Sequence, residues 1–352
     1  MTPATMRAAV LRGWNDLAVE EVATPEPAPG EVLLRVRSCG LCGTDLKMVQ
    51  GAFETRGWPP SLPFVIGHEW SGEVAALGPG LDGLDLQVGD QVVAENHIGC
   101  GRCPMCRSGR YNLCEMVRFP GYRLYGHTAP GALAEYAVRP APMLHRLPDS
   151  ITPLEGALVN QGSLTVHALR RVGFLPGSSV AVFGPGLLGL LTAAVAKASG
   201  ATQLIMVGRG ERLALAAKMG CDEVVDYERG DPVEGVRALT GGRGVDYAFD
   251  CTGNPAVPAQ ALDSVRRGGK VALLGLTGSK PSEISPDRLT LDEIDLLGVR
   301  SSPNAYPAMI ALMRSGSVDV TPLLTDVYPI DRVGEAFAAL ESRTAIRPII
   351  QL

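Results

Sequence analysis

From about residue 155 the chain takes on a rhythm that admits few folds. SSVAVFG reads as a strand and LLGLLTAAVAKASG as an apolar helix. QLIMVG, ERLALAAKMG and EVVD repeat the alternation, and GVDYAFDCTG, a helix around PAVPAQALDSVRRGG and the strand KVALLG continue it. Strands that alternate with helices pair in parallel, because each helix carries the chain back across the sheet. The expected fold class is α/β, with a doubly wound parallel sheet.

The first turn of this unit carries Gly184-x-Gly186-x-x-Gly189, with Leu187 and Leu188 opening the helix. The motif has a strand before it, a helix after it and a second strand about twenty residues on. Glycines at these positions let the backbone approach a pyrophosphate at the helix N-terminus. Cys251 and Thr252, and then Gly275 and Leu276, end later strands and are expected at the same cofactor-facing edge. The second strand ends unusually. Gly208 stands where an acidic residue normally binds both ribose hydroxyls, and Arg209 follows it. Losing the carboxylate removes repulsion against a 2'-phosphate, and a guanidinium can pair with that phosphate. Arg212 would assist, so NADP(H) is expected over NAD(H), with Glu211 as the residue that could serve a ribose instead.

Upstream lies a run of four cysteines, Cys100-x2-Cys103-x2-Cys106-x7-Cys114. Four thiolates at this spacing can enclose one tetrahedral Zn2+ and leave no position for water, which makes the site structural. A sparser set precedes it: Cys42 in CGTD, then His68 and Glu69 in GHE. Mixed sulfur, nitrogen and oxygen ligands with an open position are what a catalytic zinc needs. Cys39, Cys221 and Cys251 are left over and read as small buried hydrophobes. Residues 1 to about 150 are otherwise β-rich, with segments such as EVLLRVRS and DQVVAE broken by Pro and Gly.

The length of 352 residues allows two full cores. A net charge of -5 argues against a nucleic-acid surface. No apolar run reaches the length of a membrane span, and the start MTPATMRAAVLRG has no long apolar core. The expectation is a cytoplasmic protein with no membrane and no nucleic-acid partner.

In order and spacing, CGTD, GHEWSGEVAALGPG, VGDQVV, the four-cysteine run, the GxGxxG unit, DCTGN and GGKVALLG resemble the zinc-containing medium-chain dehydrogenase/reductase superfamily. The alcohol, polyol, threonine and glucose dehydrogenase-like branches look nearest. The resemblance spans essentially the whole chain. It implies a GroES-like catalytic domain over 1–153, with a structural zinc lobe at about 96–116. A Rossmann domain would cover 154–294, residues 295–352 would return to the first domain, and the active site would lie in the cleft between the two. Cys42 and His68 would bind the catalytic zinc, with Glu69 a third or switchable ligand. Thr44 would contact the substrate hydroxyl and pass on its proton. Asp45 would orient the ligand histidine, and Arg347 would face the cofactor phosphates.

Two departures stand out. Asn160, followed by Gln161, replaces an acidic residue that binds zinc or its water in related polyol enzymes. Lys47 holds a relay position where relatives often have histidine. The implied reaction is hydride transfer between NAD(P) and a secondary alcohol or ketone. Polar residues, namely Gln50, Glu95, Asn96, His97, Arg118 and Asn304, suggest a polyol, sugar or cyclitol substrate. His127, His145 and His167 lack motif context and read as structural. A homodimer or homotetramer is expected, with ISPDRLTLDEIDLLGVR supplying a sheet edge. Two alternatives stay open: a lyase or epimerase-like relative with transiently used cofactor, kept alive by Asn160, and a non-catalytic zinc-stapled dinucleotide-binding protein.

Overall fold

The computed structural model describes residues 2–118, 123–278 and 280–352. The N-terminal part runs through β1 (Thr5–Gly13), β2 (Asp16–Ala23), β3 (Glu31–Gly40), α1 (Gly43–Val49), β4 (Phe64–Val65), β5 (Glu69–Leu77) and β6 (Gln91–Ala94). It continues with α2 (Pro104–Arg107), β7 (Tyr136–Pro140), β8 (Leu144–Arg146) and α3 (Pro153–Gly156). Next come α4 (Val159–Val172), β9 (Ser179–Phe183), α5 (Leu187–Ala198), β10 (Gln203–Gly208), α6 (Ala214–Lys218), β11 (Glu223–Asp226), α7 (Pro232–Leu239) and β12 (Val245–Asp250). The chain closes with α8 (Val257–Ser264), β13 (Val265–Leu273), α9 (Pro286–Leu291), β14 (Asp295–Gly298), α10 (Tyr306–Arg314), β15 (Asp326–Pro329), α11 (Val333–Glu341) and β16 (Pro348–Gln351).

Two compact units result: Met1–Asn160 with Leu323–Leu352, and Gln161–Pro322. In the first, β2-β1-β4 form a small antiparallel sheet. A seven-stranded sheet runs β15-β16-β3-β5-β6-β8, with β7 also paired to β3. The core of this unit gathers Leu34, Met48, Ile66, Trp70 and Leu133. The C-terminal RPIIQL does return here, because β16 pairs antiparallel with β3, Ile350 opposite Cys39. Both side chains are fully buried, and Pro348, Ile349 and Ile350 are buried in succession, so the last strand completes the unit.

The second unit is a six-stranded sheet, β11-β10-β9-β12-β13-β14, parallel at every pairing. All five residues of β9 are buried, as a central parallel strand covered on both faces requires. The strand order reverses between β9 and β12, which creates the switch point where ligands bind in such sheets. The helix expected around PAVPAQALDSVRRGG stops at Ser264, and its VRRGG tail begins β13. The divisions fall later than the sequence suggested, after Asn160 and Pro322 instead of 153 and 294. The reason is local. Residues 295–298 pair with β13 as a sixth strand, so the segment through α10 stays with this sheet.

Candidate active site

The four-cysteine lobe is built almost wholly from local chain. Cys100, Cys103, Cys106 and Cys114 place their sulfur atoms within 4.8 Å of one another. Cys103 caps α2, its sulfur accepting from the Cys106 N–H at 3.4 Å. The Cys103 N–H donates to Cys100 Sγ and the Cys100 N–H to Cys114 Sγ, each at 3.4 Å. Such bonds favour thiolate over thiol. The backbone donors of Arg102 and Cys103 bring Cys100 down to about 6, whereas burial and its bond to Cys103 push Cys106 up to about 12. This donor set suits a closed tetrahedral zinc. Glu95 ties the lobe to the sheet: it accepts from Tyr111 Oη at 2.7 Å and from His145 Nε2 at 3.2 Å.

The second cluster is assembled from distant segments. Cys42 ends the β3–α1 link and is the N-cap of α1, while His68 and Glu69 lead into β5. One ligand atom from each of the three lies within 4.8 Å of the others. Asp45, fully buried in the first turn of α1, organises two of them. It accepts from the Cys42 N–H at 2.9 Å and from His68 Nδ1 at 3.2 Å. A carboxylate at Nδ1 fixes the proton there and leaves Nε2 as the ligand atom. Burial disfavours a charged His68, but Asp45 outweighs it and holds the imidazole well above its ordinary value. Burial likewise acts to raise Asp45, and His68 and the Cys42 N–H pull it below its usual range. An S, N, O donor set in a buried, negatively biased pocket fits a divalent cation, which replaces the His68 proton.

The other residues singled out in the sequence fall into place around this cluster or away from it. Thr44 Oγ1 lies 3.7 Å from Cys42 Sγ. Lys47 is half-buried one turn along α1, and Asn160 is half-buried in the first turn of α4. Arg347, expected to face the cofactor phosphates, is buried beside Glu69. It is 7 % exposed, pairs with Glu69 Oε2 at 3.0 Å and donates to the Leu41 carbonyl at 2.7 Å. Burial works against its charge, and Glu69 more than restores it. Gln50 is exposed and bonded to Glu341, while Glu95 serves the lobe. His97 is buried, its ring 5.6 Å from that of Tyr111. The backbone carbonyl of Asn304 accepts from Arg170, and the Arg118 side chain lies outside the described residues.

Sequence reasoning missed His127. Its ring lies 4.5 Å from that of His68 and 5.0 Å from that of Trp58. Burial, and then the neighbouring His68, bring its pKa down to about 3. No motif flags this residue, because only backbone packing between distant segments brings it to the site.

At the dinucleotide motif, Gly184 has φ +101° and Gly189 sits so close to it that a Cβ would meet the Gly184 carbonyl oxygen at 1.9 Å. Around Gly186, the N-cap of α5, a Cβ would meet nothing within 4 Å. That open cradle at a helix N-terminus fits a pyrophosphate. Leu187 is buried under α5 and Leu188 is half-buried. Thr252 packs on Gly184, and its N–H and Oγ1 both donate to buried Asp250. Cys251 is half-buried against Thr192, and burial pushes its thiol up to about 12. Gly275 packs on Gly253, and Leu276 next to it is 72 % exposed. A Cβ at Gly208 would meet Pro185 Cδ at 2.4 Å, so the ring of Pro185 occupies the space an acidic side chain would need. Arg209 extends to Glu228 at 3.1 Å and over the Tyr227 ring, and Arg212 is half-buried in the following turn.

Comparison with known proteins agrees with both halves of the molecule. The alcohol dehydrogenase GroES-like domain matches residues 28–149, and the zinc-binding dehydrogenase model matches 188–315. Sorbitol dehydrogenase of Bacillus subtilis (strain 168) is 36% identical over 335 residues, covering 95% of this chain and 93% of that enzyme. L-Idonate 5-dehydrogenase of Vitis vinifera is 33% identical over 338 residues, covering 94% and 90%. A zinc-binding dehydrogenase structure from Sinorhizobium meliloti 1021, bound to NADP, superposes with a TM-score of 0.92 at 28% identity, covering 99% of this chain and 100% of that one. These relatives lend nothing to the lyase or epimerase-like and non-catalytic alternatives. The chain belongs to the zinc-containing medium-chain dehydrogenase/reductase superfamily and is a zinc-dependent, nicotinamide-dependent oxidoreductase.

Proposed function

We propose that the protein oxidises a secondary alcohol of a polyol, sugar or cyclitol, or reduces the matching ketone, with NADP(H) preferred over NAD(H). The observation that carries this is the half-buried Cys42 converging with buried His68 and Glu69, with Asp45 beneath them. The names of the sorbitol and L-idonate dehydrogenase relatives support the substrate class. Two zinc ions per chain fit the two donor sets, one catalytic and one structural. When bound, the catalytic zinc supplies a Lewis acid and the nicotinamide supplies a hydride acceptor.

The protein's own residues do the rest. Thr44 Oγ1 accepts the hydroxyl proton while its own O–H proton passes outward to solvent, and the charge of Lys47 favours the developing alkoxide. Asp45 keeps the His68 proton on Nδ1. Arg347 balances the charge of Glu69. Asn160 offers an amide hydrogen bond to the substrate in place of an anionic ligand. Gly184, Gly186 and Gly189 receive the pyrophosphate, flanked by Thr252 and Gly275.

The cofactor preference rests on Gly208 and Arg209. It is modest, because a 2'-phosphate must displace Glu228 from Arg209. We further assign a homodimer or homotetramer. β14 is an edge strand with one side unpaired in its sheet, which offers a surface for a second copy. Eight free cysteines suit a reducing, cytosolic compartment, and no helix among the described residues is long and apolar enough to cross a membrane.

The test is a panel of polyols, sugars and simple alcohols with NAD+ and NADP+ in parallel, read by absorbance of the reduced nicotinamide. Turnover of a polyol with NADP+ preferred is the expected result. Arg209→Ala should erase the preference and Glu228→Gln should strengthen it, each by about tenfold or less. Preference for NAD+ in the parent protein would overturn the reading of Arg209 and keep the enzyme.

A further inference from the structure

Three glycines let two distant segments touch backbone to backbone. A Cβ at Gly126 would lie 2.6 Å from the Gly67 carbonyl oxygen and 2.8 Å from His68 Cβ. One at Gly131 would lie 2.1 Å from the Ile66 carbonyl oxygen, and one at Gly67 2.8 Å from the Leu133 nitrogen. The Leu133 and Ala132 N–H groups donate across this seam to Ile66 and Gly67. The seam presses the 124–133 segment onto the metal-ligand histidine and delivers His127 to its ring face.

His127 is 5 % exposed and sits in a row of rings: Phe53, Trp58, His127, His68. Its Nδ1 lies 3.4 Å from the Tyr125 carbonyl oxygen. A carbonyl only accepts, so this contact places the proton on Nδ1 and makes Nε2 an acceptor. Among the described residues, Nε2 makes no hydrogen bond, and it is not one of the fully buried polar atoms left without a partner. Packing alone would be served as well by a phenyl ring, which has no nitrogen to desolvate. An imidazole kept in that place has an acceptor to offer to something that enters the site.

We propose that His127 Nε2 accepts a hydrogen bond from a second hydroxyl of the substrate, adjacent to the reacting carbon, and selects vicinal diols and polyols over monohydric alcohols. This assignment rests on the reading of Cys42, His68 and Glu69 as the catalytic metal site. It places the polar recognition on the segment before β7, and not on Gln50 or Glu95, which are engaged elsewhere. A site built to bond a hydroxyl rejects the analogue lacking it, because its own polar group is then left unpaired.

The test compares 2,3-butanediol and sorbitol with 2-butanol, on zinc-loaded protein of measured metal content. His127→Phe keeps the ring stack and removes the acceptor. We expect it to lower kcat/KM for the diol and for sorbitol by at least about tenfold, mainly through KM, with 2-butanol unchanged within about twofold. His127→Gln retains an acceptor and should preserve part of the diol preference. Equal losses on diol and monohydric alcohol, no loss on the diol, or the same loss in both variants would make His127 a packing residue and overturn the assignment. Calorimetric binding of sorbitol gives a readout independent of turnover, with a tenfold weaker Kd expected in His127→Phe. If the parent protein oxidises no alcohol, the dehydrogenase reading falls by itself. The calorimetry still decides the assignment, which is overturned by equal sorbitol binding in both proteins or by none in the parent.

Discussion

The two cysteine-bearing clusters answer the same chemical problem in opposite ways. The lobe draws four like donors from Cys100 to Cys114 and steadies their thiolates with backbone N–H groups of the same loop. The second cluster draws three unlike donors from two segments and steadies them with side chains, Asp45 beside Cys42 and Arg347 from the far end of the chain. A local all-sulfur cage closes on its ion and has no use for neighbours. A mixed, distributed site leaves a position open and depends on its surroundings for geometry and charge. The difference supports the proposal that the four-cysteine cluster is a staple and the mixed cluster is the place for chemistry.

The sharpest way to break this comparison is to remove one ligand from each cluster. His68→Ala should lower turnover by about a thousandfold or more while unfolding temperature stays near the parent's, since a Lewis acid contributes several kcal/mol to the transition state. Cys103→Ser should do the reverse, lowering Tm on the order of 10 °C and losing one of two zinc ions per chain while the open site keeps its metal. Metal analysis with thermal unfolding reads both, and a structural collapse in His68→Ala would erase the distinction. A smaller effect is expected behind the ligands. Asp45→Asn removes the carboxylate that orients His68 and should weaken metal affinity or activity about 10- to 100-fold. An unchanged zinc affinity and rate would show that His68 needs no orienting partner.

The smallest effect concerns the lobe stripped of metal. With Cys100 at about 6 and Cys106 at about 12, Cys100 is ionised at pH 7 and Cys106 is not. The thiolate is the nucleophile, so limited iodoacetamide treatment after chelation should label Cys100 before Cys106. Mass spectrometry reads the order, and the reverse order would contradict the role given to the backbone N–H groups.

Much of the molecule was legible in the residues before any coordinates. The βαβ rhythm, the glycine motif and the cysteine spacing are short-range signals, and each folds into a recognisable object: a parallel sheet, an open turn at a helix N-terminus, a loop of clustered sulfurs. The donor triad was legible for the same reason, since CGTD and GHE each carry their chemistry within four residues. Misreadings arose where a polar residue's role depends on who stands opposite. Glu95 looked like a pocket acid and turned out to be held by Tyr111 and His145. The pairing of Arg347 with Glu69 was likewise invisible along the chain.

By itself, then, the sequence determined the fold class and the family and singled out the glycine motif and both clusters of potential metal donors, because these depend on periodicity and on spacing along the chain. Only the tertiary structure decided which polar groups are spent on packing and which remain for a substrate. Arg347, Glu95 and His127 acquire their partners through contacts between segments tens to hundreds of residues apart. Close packing makes those contacts depend on how small residues let two backbones approach, as Gly67 and Gly126 do beside His68. No local pattern of side chains records such a meeting.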